Sequence, residues 1–261
     1  MPSFGREQML AVVERSPAAA GAHDRAAWVG LFAESGIVND PVGSRPHVGR
    51  DEIERFYDTF IGPRDITFHR NVDVVSGHAV IRDVELEVRM SSRVTMRVPV
   101  HIRYDLGTHG GELRIERLAA YWELPGMIVQ FLRSGFPAAP VSTRLTMALL
   151  KNQGPVGALG FAQGFRRVGN AAKATSENFL DALSRGDVAG ARRYLDPQAV
   201  VDVDELAARL RGMRTRKYLA AGGTVAVGLG HETWKGVGFF EFDSHRGPIK
   251  AVEVLVDPDA G

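Results

Sequence analysis

Two long alternating runs constrain this fold more than any other feature of the chain. From Val80, the residues Val80, Val84, Leu86, Val88 and Met90 share one side, with Arg82 breaking the apolar pattern. Ile81, Asp83, Glu85, Glu87 and Arg89 take the other side. From Val94, the apolar side is Val94, Met96, Val98, Val100, Ile102 and Tyr104, set against Thr95, Arg97, His101, Arg103 and Asp105. Successive strand side chains point to opposite faces, so a sustained period of two marks a half-buried strand. Gly107 to Gly111 supplies a turn, and Leu113 to Glu123 returns as a third strand. A sheet with one apolar face must bury it against another layer, and the residues upstream read as helices.

Met9, Val12 and Val13 share a helical face, and Ser16-Pro17 reads as the cap and first position of a new turn. Asp24 caps a helix running through Trp28, Leu31 and Phe32. Ile37-Val38 is a short strand. Arg50 to Phe60 is a further helix, with Ile53, Phe56, Tyr57 and Phe60 on one side. The expected fold class is α+β: helices laid on a curled antiparallel sheet, forming a cone with one open mouth. Between the strand and the last helix lies Val38-Asn39-Asp40-Pro41-Val42-Gly43-Ser44. It places a carboxylate at the end of an apolar strand, on a proline turn. A carboxylate fixed there and facing apolar walls is suited to act as a general base. Asp also caps such turns without doing chemistry.

The chain has 261 residues, enough for one large or two small domains. Charge divides it into three parts: net −3 over residues 1–124, +6 over 125–175 and −2 over 176–261. The expected organisation is a first domain over 1–124, a basic Gly/Pro-rich linking segment over 125–172 and a second domain over 173–261. A helix is expected from Ser142 to Asn152. In the last part, Thr175 or Ser176 caps a helix through Phe179, Leu180 and Leu183, which Gly186 ends. Asp187 opens another helix through Tyr194. Ala199 to Asp202 reads as a short strand, and Thr224–Leu229, Trp234–Phe242 and Ile249–Val256 as three more. Phe32–Asp40 aligns with Tyr194–Asp202 at a constant offset, suggesting a degenerate internal repeat of the first domain. Asp202 and Asp204 are expected to cap a helix at Glu205–Arg211. The basic run from Arg209 to Lys217 reads as a solvated helix face.

Several function classes fall away. With no cysteine there is no thiolate nucleophile, disulfide or cysteine metal site. A net charge of +1 gives no global field for nucleic acid. No phosphate loop, dinucleotide fingerprint, nucleophile elbow or zinc motif occurs, and His69, His78 and the other histidines lack ligand spacing. No metal and no cofactor are therefore expected. The start turns polar before an apolar signal core can form, and no apolar run approaches a bilayer span, so a cytoplasmic protein without membrane contact is expected.

The pieces Leu31-Phe32-Ala33, the Asp40 turn, Gly49-Arg50 opening a helix to Phe56-Tyr57, His101-Ile102-Arg103-Tyr104-Asp105 and Ala120-Tyr121-Trp122 form an ordered set. Together they resemble the ketosteroid-isomerase branch of the nuclear-transport-factor-2-like fold (NTF2-like), which includes the SnoaL-type polyketide cyclases. The resemblance spans residues 5–124. It implies that Asp40 moves a proton between carbons of a steroid-like or other bulky apolar ketone, while a tyrosine and a protonated acid stabilise the dienolate. By spacing, the family tyrosine falls on Ser16 and the family acid on Val100, neither of which keeps the family residue. Tyr57 is then the remaining donor, although a core aromatic is the commoner role. Phe32, Phe56, Leu118 and Trp122 are expected to line the pocket, and His101 to lie on the polar face as a solvated or interface residue. A small apolar ligand is the implied partner. Related isomerases dimerise through their sheets, which implies an intramolecular pseudo-dimer of two cones here. Two alternatives stay open: a non-catalytic binding module for a sterol- or polyketide-like ligand, and a SnoaL-like cyclase or hydratase.

Overall fold

Helix α1 (Arg6–Gly21) turns Met9, Val13, Ser16 and Ala20 inward. It passes through Ser16-Pro17 without the break expected there. Pro17 has no N–H to donate to the preceding turn, yet an unbroken buried face keeps the chain helical, with Ser16 only 3% exposed. Ser16 is therefore a core residue and not a cap. The computed structural model describes residues 4–92, 94–123, 125–127, 147, 151 and 168–260. Apart from residues 147 and 151, the expected helix from Ser142 to Asn152 lies outside the described residues, as does most of the basic segment.

Asp24 caps α2 (Arg25–Val29), its side chain accepting from the Ala27 N–H at 2.9 Å. The helix stops short of the expected Leu31 and Phe32, because Phe32 already opens β1 (Phe32–Asn39). After β2 (His47–Val48), Gly49 at φ +77° turns the chain into α3 (Arg50–Phe56). The following turn, Tyr57–Ile61, widens to a π-helix.

Four long strands complete the first sheet: β3 (Asp65–Ser76), β4 (Ala79–Ser91), β5 (Val94–His109) and β6 (Glu112–Tyr121). The order is β2-β1-β6-β5-β4-β3, antiparallel except where β1 runs parallel to β6. The predicted inward set is paired directly across β4 and β5: Val80 with Tyr104, Val84 with Val100, Leu86 with Val98 and Val88 with Met96. Arg82 stays on that face and is 2% exposed. Its guanidinium is neutralised by Asp73 at 2.8 and 2.9 Å and by Glu14 at 2.7 Å. The other face is less wet than expected, because Asp83 and His101, directly opposite each other, are 2% and 0% exposed. Asn71 donates to the Asp83 carboxylate at 3.2 Å, which offsets part of the cost of burying it.

The chain divides into two compact units, Met1–Phe165 and Arg166–Gly261. The second begins with α4 (Asn170–Arg185), capped at Gly169, so Thr175 and Ser176 lie inside the helix and bond back to the Ala171 and Ala172 carbonyls. Gly186 ends it in the left-handed conformation, and Asp187 caps α5 (Val188–Arg192). The expected strand at Ala199–Asp202 is not formed, and Val200 is fully exposed. The nearest equivalent is an isolated bridge between Leu195 and Ile249. Asp202 caps α6 (Val203–Leu210) through the Glu205 N–H at 2.9 Å, while Asp204 pairs with Arg192.

Four strands follow: β7 (Arg214–Ala221), β8 (Thr224–Gly230), β9 (Lys235–Glu241) and β10 (Ala251–Asp257). They form an antiparallel meander in the order β10-β9-β8-β7. Arg214, Arg216 and Lys217 therefore lie on a strand, not on the expected helix face. Both units run helix, short helix, a further helix and four antiparallel strands; strands β1 and β2 precede the third helix of the first unit, and no strand does so in the second. Among the described residues, no helix is long and apolar enough to cross a membrane.

Candidate active site

The Asp40 turn is locked on three sides. Val42 N–H donates to the Ala120 carbonyl of β6 at 2.9 Å. The buried Asn39 amide donates to the Ser44 carbonyl at 3.0 Å, and the Ser44 hydroxyl to the Pro41 carbonyl at 2.7 Å. Gly43, at φ +97°, supplies the sharp reversal, and the Asp40-Pro41 bond is cis. Each motif residue around Asp40 thus holds the backbone that aims the carboxylate.

Asp40 looks into a cavity between the helical layer and the sheet. Phe56, Phe60 and Ile61 line one side, and Leu86, Val88, Met90, Met96 and Val98 the other. The cavity itself holds about 110 Å³, less than the roughly 300–1,000 Å³ of sites that enclose drug-sized ligands, and it opens to solvent at its mouth. Among the described residues, the polar groups in the wall are Asp40, Arg64 and Trp122. Trp122, just past the end of β6, donates its indole N–H to Asp40 Oδ1 at 2.6 Å. Burial pushes the Asp40 carboxyl up to about 6, and the indole bond opposes the rise. Asp40 keeps part of its surface open, and that part faces the cavity. The group is therefore both dry and reachable.

Of the residues expected from sequence, Asp40, Phe56 and Trp122 meet at this cavity. Phe32 does not line it; its ring packs on Trp28 with centroids 4.9 Å apart. Val100 and Leu118 are buried in the same core, opposite Val84 and Tyr104. Ser16 also lies behind the wall, hydrogen-bonded to the Tyr104 hydroxyl. Burial raises the Tyr104 pKa against that bond, and the Asp40 charge raises it further.

Tyr57 is the main departure. Its ring packs 5.5 Å from Trp28, its buried hydroxyl has no partner among the described residues, and burial raises its pKa. It is absent from the cavity wall. Phe56 and Phe60 share the cavity face of the helix, and Tyr57 is turned to the neighbouring face.

Arg64 was not foreseen. It stands alone between a proline turn and β3, where no periodicity or motif singles it out. Its Nη1 donates to the Thr59 and Phe60 carbonyls at 2.6 and 2.9 Å, and its Nε to Met90 Sδ at 3.2 Å. Burial lowers its pKa to about 10.

The family model described as a SnoaL-like domain matches residues 13–124. Over those residues the first unit is similar to SnoaL-like domains. Solved structures similar to this chain include RV0760c from Mycobacterium tuberculosis in complex with estradiol-17beta-hemisuccinate. It is 22% identical, with 45% of this chain and 95% of that one covered and a TM-score of 0.41. Delta 5-3-ketosteroid isomerase from Mycobacterium sp. is 23% identical over 45% of this chain and 95% of its own, with a TM-score of 0.41. An M. tuberculosis LEH-like epoxide hydrolase is 15% identical over 49% and 92%, with a TM-score of 0.42. The SnoaL-like match ends where the basic segment begins.

Proposed function

We propose that the SnoaL-like domain binds a bulky apolar ketone and isomerises its double bond by proton transfer, with Asp40 as the base. The observation that carries this reading is a carboxylate with a pKa of about 6, held by an indole N–H in an otherwise apolar cavity. Near neutral pH it is mostly ionised yet weakly solvated, which suits abstraction of a proton from carbon. Asp40 would remove the proton between the carbonyl and the double bond and return it at the far end of the dienolate. The double bond moves into conjugation, and no atom is gained or lost. The test is conversion of a β,γ-unsaturated ketosteroid, followed by the ultraviolet absorbance of the conjugated product. Asp40→Asn is expected to abolish it, and unchanged turnover in that variant would rule the base out.

The second reading is a ligand-binding module without turnover. It is favoured by the described part of the cavity wall, where no hydroxyl or protonated acid stands to stabilise a dienolate as in the isomerases. Losing one such donor costs about 10²–10³ in rate. Displacement of an apolar fluorescent probe by steroid, with no product formed, would select this reading. For the second unit, the shared element order supports a degenerate repeat of the same fold.

A further inference from the structure

We propose that Arg64 is an anion subsite, and that the ligand of this cavity is an apolar molecule carrying a carboxylate at one end. The inference rests on reading the cavity as a ligand pocket, but not on any turnover by Asp40. Arg64 is a half-buried cation in a wall whose other described residues are apolar or aromatic, apart from the Asp40 carboxylate. Among the described residues no carboxylate pairs with it, unlike Arg82, whose buried charge is met by Asp73 and Glu14. Three of its five N–H groups are committed: Nη1 to two backbone carbonyls and Nε to a sulfur. Those bonds fix the guanidinium plane and leave the two Nη2 donors for an incoming group.

The carbonyl contacts explain why the π-helical turn ends in order. They do not explain why a cation is placed beside Met90 and Ile61 with no ion pair among the described residues. A buried charge left unpaired is costly, and an anionic oxygen entering the site would offset that cost. Among the described residues that line the cavity, Arg64 is the one cation. Asp40 and Arg64 both line the cavity, and Asp40 is held by the Trp122 indole while Arg64 is held by the Thr59 and Phe60 carbonyls. The ligand that fits this arrangement is apolar along its body, with its acid at Arg64 and its remaining length directed to Asp40.

Calorimetric titration with 4-cyclohexylbutanoic acid and its methyl ester at pH 7.5 tests the assignment. The acid is expected to bind about tenfold or more tightly than the ester, the size of one charge-assisted contact. In Arg64→Met the acid should fall to the affinity of the ester, while the ester is unaffected. Arg64→Gln keeps an N–H donor for the neighbouring carbonyls and serves if the Met variant does not fold. Asp40→Asn should retain the preference for the acid. If the ester binds and the acid binds no better, or if the preference survives in both Arg64 variants, the anion subsite is overturned while the pocket stands. Binding of neither compound would overturn both the subsite and the pocket.

Discussion

Asp40 carries its pKa of about 6 because burial destabilises the charged carboxylate more than the Trp122 N–H restores it. The folded protein therefore holds a proton that the unfolded chain, with an Asp pKa of about 3.9, has already released. Stability falls as pH rises between these two values and stays lower above them. At roughly 1.4 kcal/mol per unit, reduced for the part of the carboxylate that faces the cavity, the cost is about 2 kcal/mol. Asp40→Asn is thus expected to stabilise the first unit by about this amount at pH 7.5 and to have little effect at pH 3.5. Urea unfolding at the two pH values measures the difference, and equal effects at both would contradict the burial of the charge. Turnover, where present, should rise with pH through about 6 as the base ionises. Trp122→Phe removes the bond that favours the ionised form, so the midpoint of that rise should move to higher pH. A midpoint that stays in place would mean that the indole only fills space.

Elements decide which of these residues can meet. The turn is rigid because Asn39, Val42 and Ser44 each satisfy a backbone group across it. Across β4 and β5, the buried Arg82 depends on Asp73 in the neighbouring strand β3. Asp73→Ala leaves that guanidinium with Glu14 alone. Breaking a buried pair in this way costs about 3–5 kcal/mol, and the remaining Glu14 contact puts the expected loss near the lower end. Chemical denaturation gives the value, and a loss below half a kcal/mol would show that Glu14 suffices. The faces of β4 and β5 were legible as strict alternation, and the helix starts at Asp24 and Asp187 as caps. Strand β3 was not legible, because its first half is mostly exposed and polar, leaving no apolar period to detect. The unbroken α1 was also missed: local chemistry at Ser16-Pro17 favours a break, and only packing overrides it.

At the scale of the molecule, each unit has its own apolar core, and the two cores share no residue. Leu183 is fully buried in the second, beside Phe179 and Leu180. Leu183→Ala should therefore destabilise the second unit by about 2–5 kcal/mol, as large-to-small core changes do. It should leave the pH midpoint set by Asp40 unchanged. Hydrogen exchange resolved by segment would separate the two effects, and a shifted midpoint would show that the second core supports the site. By itself, the sequence determined the α+β class, the paired strand faces and the Asp40 turn. Each of these is written in local period, turn chemistry or a contiguous motif. Only the tertiary structure decided that Phe56 and Trp122 join Asp40 while Tyr57, Ser16, Phe32, Val100 and Leu118 do not. It alone brought the isolated Arg64 into the same wall. The direction of a side chain at a layer interface depends on helix rotation and strand curvature, and neither leaves a local mark in the chain.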